Sequence, residues 1–128
     1  MNLDLLAAET AQTIVNTPEN DNQKAIKNLY NMATKVLGVL QENGVYATVL
    51  FLYSRTKADE ENAKRIRKNL WSLLSSCIDQ KTEQNDNAKI ALKFVTDEIT
   101  NDLDKLLLVK QLWEQTLIYV RYGAKARG

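Results

Sequence analysis

Two carboxylates three or four residues apart share one face of a helix and can hold Mg²⁺ against a facing helix, and Glu83 with Asp86 and Glu98 with Asp102 have that spacing. The first falls in the polar run KTEQNDN and the second at a predicted helix boundary. The chain contains no His, which excludes Ser-His-Asp and Cys-His catalysis, His-based zinc sites and His acid–base chemistry near neutral pH together. Cys77, the one Cys, stands among apolar helix positions and reads as a small core residue in a reducing compartment. The four Gly are scattered and none precedes a Lys-Ser or Lys-Thr pair, so a phosphate-cradling Gly-rich loop has no support. The expectation is a binding protein with no catalytic residue, no metal and no cofactor.

Basic residues are gathered on a few helical segments. Lys64, Arg65, Arg67 and Lys68 lie opposite the apolar face of a predicted helix, with Trp71 three and four residues after the last two. Cations around an outward indole read as a phosphate-contacting surface with a ring for base or ribose, or as an anchor for another protein. A plain solvated face is the alternative, because Glu60 and Glu61 stand four residues before Lys64 and Arg65, the favourable order for surface ion pairs. Arg55 and Lys57 extend the run: Arg55 to Leu70 holds six basic and three acidic residues. A second basic group, Arg121, Lys125 and Arg127, closes the chain. The whole chain has 17 Lys plus Arg against 16 Asp plus Glu, a net charge of +1, so any attraction for nucleic acid must come from local arrangement.

The elements that would carry these residues are helices. Leu3, Ala7, Ala11, Ile14 and Val15 predict one that ends before Asn16-Thr17-Pro18, since Pro18 bars Thr17 from helical geometry. Ile26, Leu29, Ala33, Val36, Leu37 and Leu40 predict a second that stops at Asn43-Gly44, the Gly taking a left-handed conformation. Val45 to Tyr53 is apolar except for Thr48 and predicts a third helix buried on all sides. A fourth runs from about Asp59 to Gln80 on Ala63, Ile66, Leu70, Leu73, Leu74, Cys77 and Ile78, a fifth spans Ala88 to Ile99, and a sixth begins at Leu103. The sixth has a second stripe, Leu108, Leu112, Tyr119 and Tyr122, so it either passes through the middle of the bundle or presents an interface to a neighbouring subunit. Short loops between amphipathic helices predict an all-α, compact bundle of five to six mostly antiparallel helices in one domain, residues 1–128.

Asn43, Gly44, Thr48 and Phe51 in the central segment, and YVRYGAKARG from Tyr119 to Gly128, carry a family resemblance. The first resembles the central motif, and the second is similar to the closing motif, of the small α-helical subunit of the type III-B CRISPR (Cmr) RNA-targeting complex. The resemblance spans most of the chain and transfers the positions Asn43, Gly44, Phe51 and Arg121. It implies a non-catalytic subunit whose copies stack head to tail as a minor filament, with other Cmr subunits, crRNA and target RNA as partners. Near neutrality of charge departs from an autonomous RNA binder and predicts weak binding by an isolated copy. The N-terminus lacks the basic start of a secretory signal, and the uninterrupted apolar runs are short of the about 20 residues that span a bilayer, so the expected location is cytoplasmic, without a membrane. The alternative is a helical homo-oligomeric adaptor that binds protein and never meets RNA.

Overall fold

The computed structural model describes residues 2–17, 22–55, 57–77 and 87–127; the side chains of Lys57, Ala58 and Cys77 lie outside the description, as do Glu83 and Asp86. Five helices and no strand occur among the described residues: α1 (Leu3–Val15), α2 (Gln23–Tyr53), α3 (Lys57–Cys77), α4 (Ala88–Glu98) and α5 (Leu103–Arg127). Side-chain caps fix where four of them start. Asn2 accepts from the Leu5 N–H at 3.0 Å, Asn22 from Ala25 at 2.8 Å, Asn87 from Lys89 at 3.0 Å and Asp102 from Asp104 at 3.0 Å. Each supplies an acceptor to amide groups that have no partner inside the helix.

The predicted second and third helices join into α2, which breaks at Gly44 and resumes at once. Gly44 has φ 91° and ψ −172°, a region essentially confined to Gly, and differs from the left-handed helix stop the sequence predicts. Thr48 bridges the break by donating its hydroxyl to the Gly44 carbonyl at 2.8 Å, which lets a polar side chain sit fully buried. The segment after the break is not covered on all sides, contrary to expectation. Val45, Val49 and Leu52 face the core, whereas Tyr46 and Leu50, one turn apart, are exposed. By length and composition α2 is the one described helix apolar enough to cross a membrane, yet its Leu29, Ala33, Val36, Leu40 and Val49 are buried inside the bundle.

One buried cluster draws side chains from all five helices. α5 packs most extensively, against α2 and α1, and antiparallel to α2, since Tyr30 and Thr34 near the start of α2 meet Arg121 near the end of α5. α1 and α5 run in the same direction: the Tyr119 hydroxyl donates to the Asp4 carboxylate at one end, and Arg127 donates to the Val15 carbonyl at 2.7 Å at the other. Trp113 is buried, and its indole N–H donates to the Leu70 carbonyl at 3.0 Å, tying α5 to α3. Of the two accounts of the second α5 stripe, passage through the middle holds for Leu112, which is 1% exposed and belongs to the core. Leu108 and Tyr119 are half-buried, and Tyr122 is exposed.

Candidate nucleic-acid interface

The turn between α2 and α3 starts the cationic surface. Ser54 closes α2, its N–H donating to the Phe51 carbonyl at 3.1 Å, and Arg55 folds back so that its Nε donates to the same carbonyl at 3.2 Å. Its guanidinium lies 3.7 Å from the Phe51 ring centroid, which places a cation against both an aromatic face and the negative end of a helix. Arg67, from the third turn of α3, lies 4.2 Å from the Tyr53 ring centroid. Leu52, Tyr53, Arg55, Glu60, Lys64 and Arg67 enclose a cleft of about 290 Å³.

A second cleft of about 410 Å³ lies where α3 meets the end of α1, lined by Thr13, Thr17, Glu61, Lys64, Arg65, Lys68 and Asn69. Lys64 borders both. Spacings of three and four residues place Glu60, Lys64 and Arg67 toward one cleft and Glu61, Lys64, Arg65 and Lys68 toward the other. Asn62 and Asn69 steady Arg65: Asn62 accepts from its guanidinium at 3.1 Å, and Asn69 donates to its backbone carbonyl at 2.8 Å. Five cations thus face two carboxylates across adjoining concavities, while Lys64 and Lys68 stay exposed. Long-stemmed ammonium groups over a cleft are suited to phosphate oxygens, which they meet as mobile point charges with no demand for sequence.

Trp71 does not join this surface. It is 5% exposed, and its ring tilts at 54° against Phe94 of α4 with centroids 5.6 Å apart, so its outward placement from the helical projection is overturned. Trp71 shares an angular sector with Lys64 and Lys68, but α4 reaches α3 one turn later and covers it there. Trp71 and Leu112 therefore offer no surface to a neighbour. Of the residues singled out for an interface, Leu108, Tyr119 and Tyr122 keep some exposure. Tyr119 also has a structural task, because its hydrogen bond to Asp4 holds its phenol above the ordinary tyrosine range, with partial burial adding to the shift and a hydrogen bond to Gln115 opposing it.

The basic tail divides by role. Arg121 donates to the Thr34 hydroxyl and the Tyr30 hydroxyl, both at 3.0 Å, and its guanidinium lies 5.2 Å from the Tyr30 ring centroid. Arg127 closes the end of α1 through the Val15 carbonyl and the Asn16 side chain. Both are structural links first. Lys125 points to solvent and lines a separate cleft of about 360 Å³ with Gln23, Ile26, Lys27, Tyr30 and Ala124. Lys27 and Tyr30 were not singled out from sequence, although their spacing of three on α2 puts them on one face. The Glu98 and Asp102 pair does not act together: the Asp102 carboxylate caps α5, accepting from the Asp104 and Lys105 amides at 3.0 and 3.2 Å. Among the described residues no three His, Cys, Asp or Glu side chains cluster closely enough for a metal ion. Set beside known protein families, characterised proteins and solved structures, the chain matches none of them.

Proposed function

We propose that this chain is a non-catalytic helical subunit of a type III-B CRISPR (Cmr) ribonucleoprotein that supplies sequence-independent contact to an RNA backbone. The arrangement of Arg55, Lys64, Arg65, Arg67 and Lys68 around two clefts that share Lys64 carries this reading. A strand read by base pairing needs from its protein wall only regularly placed cations, and the α3 surface has them without a base-reading element. Glu60 and Glu61 reduce the local field, so a single copy binds weakly and copies aligned along one strand bind through summed contacts. Exposed Leu103 and Leu107, a turn apart at the start of α5, offer apolar area for stacking that Trp71 and Leu112 cannot.

The test is isolation of the tagged chain with its natural assembly, wild type against a Lys64→Glu, Lys68→Glu variant. The reading expects guide RNA in the wild-type assembly. In the variant it expects target-RNA affinity to fall and the salt dependence of binding to flatten by about 1.4 in log–log slope, the value for two lost single-strand contacts. Helical content by circular dichroism stays the same, because both lysines are exposed. An assembly that holds together through its apolar contacts and contains no RNA would replace this reading with a homo-oligomeric adaptor, which the exposed Leu103 and Leu107 favour.

A further inference from the structure

The cleft between the start of α2 and the end of α5 shares no lining residue with the two α3 clefts, and its chemistry is different. Its floor is apolar: Ile26 and Ala124 are 5% and 0% exposed. Lys27 and Lys125, both exposed and from different helices, stand over that floor, and none of the described lining residues is acidic. Tyr30 forms a wall whose position is set by Arg121, which bonds its hydroxyl and lies against its ring. At about 360 Å³ the cleft sits at the low end of the about 300–1,000 Å³ range of small-ligand sites.

Two ammonium groups over an apolar, aromatic-walled floor match a ligand with a dianionic end and a flat, weakly polar body. Beyond Lys125 on the same helix stands Tyr122, one turn earlier and about 60° around the axis, and at 70% it is the most exposed of the large apolar side chains described. A ring left in water beside a lysine is the arrangement on which an unpaired base stacks. We infer that this cleft is a nucleotide site: the phosphate lies between the Lys27 and Lys125 ammonium groups, the base lies against Tyr30 and the lysine stems above the buried Ile26 and Ala124, and in a strand the adjoining base rests on Tyr122. The inference does not depend on the α3 surface; it adds a site at the other end of the bundle that takes either a free nucleotide or one unit of a single strand.

The experiment uses the full chain and two probes, adenosine monophosphate followed by NMR line shifts and a fluorescein-labelled single-stranded RNA of about ten nucleotides followed by anisotropy. The variants are Lys27→Glu with Lys125→Glu, Tyr122→Ala, and Lys64→Glu with Lys68→Glu as the control on the other surface. Circular dichroism confirms that each is folded. The double reversal at Lys27 and Lys125 is expected to weaken each probe that binds by about tenfold or more, and Tyr122→Ala to weaken the RNA by about tenfold while leaving the mononucleotide unchanged. Mononucleotide binding lost in the double reversal identifies a free nucleotide as ligand, and loss confined to the oligonucleotide identifies a strand. Absence of binding by both probes at millimolar concentration, or binding indifferent to Lys27 and Lys125, overturns the site. Indifference to Lys64 and Lys68 alone leaves this cleft standing, because the α3 surface is tested in the assembly and not in the single copy.

Discussion

The Trp113 indole N–H donates to the Leu70 backbone carbonyl across 43 residues of sequence, at 3.0 Å and in the buried interior. A carbonyl inside α3 is thereby shared with a side chain of α5, so the axial register of the two helices is fixed by a directional bond as well as by apolar packing.

Trp113→Phe keeps a flat apolar ring and removes that donor. The loss of one buried hydrogen bond and the small void left by the missing ring should lower unfolding free energy by about 2 kcal/mol, read as an earlier urea midpoint with an unchanged slope. A midpoint equal to wild type would mean that the bond adds nothing.

Trp71 should behave as a core residue. Both tryptophans are at most 5% exposed, so native fluorescence is expected to be blue-shifted and poorly quenched by acrylamide. Trp71→Ala should destabilise by about 3–5 kcal/mol through the cavity left against Phe94. Ready quenching of the native protein would return the indole to the surface.

Two glycines of α2 should respond in opposite senses to Ala. Gly44 has open space around its β position, so the cost of Gly44→Ala is backbone strain at φ 91°, about 1–3 kcal/mol. Gly38 lies within the regular helix, also with open space, and Gly38→Ala should stabilise by about 0.4–1 kcal/mol by restricting the unfolded chain. Thermal unfolding of the two variants side by side measures the contrast, and a stabilising Gly44→Ala would contradict the conformation described.

Tyr119 gives the fold a dependence on alkaline pH. Its hydrogen bond to Asp4 favours the protonated phenol, so the folded pKa lies above the unfolded value of about 10. The contribution is complete below pH 10 and is lost as pH rises through the raised folded value. Wild type should therefore exceed Tyr119→Phe in melting temperature by a constant margin from pH 7 to 9, and the margin should close at higher pH. A margin that persists after the phenol has ionised would sever the link to Asp4.

Much of the helical framework was legible because it is written in local periodicity. Pro18 announced the end of α1, and the buried stripe of α3 from Ala63 to Leu74 follows the three- and four-residue steps of the sequence. Environments that change along a helix were not legible. A projection down the axis gives Lys64, Lys68 and Trp71 one direction, and it cannot say that α4 covers the last and leaves the first two bare. Gly44 marks a break, but Asn43-Gly44 does not reveal whether the chain turns away or continues. The cations were found by type, while their division between structural links and open surface needed partners distant in sequence: Arg121 finds Tyr30, and Arg127 finds Val15. The cleft of Lys27 and Lys125 is not legible in the sequence because its walls are about a hundred residues apart, so the basic end of α5 gives no sign of the α2 residues it meets.

The clasp between α1 and α5 sets an order of events during synthesis. Its two ends join residues 115 and 112 positions apart, so α1 can meet α3 once both are made but gains its more extensive partner only when α5 follows. Until then part of the face of α1 that carries Ala7, Ala11 and Ile14 stays within reach of a chaperone.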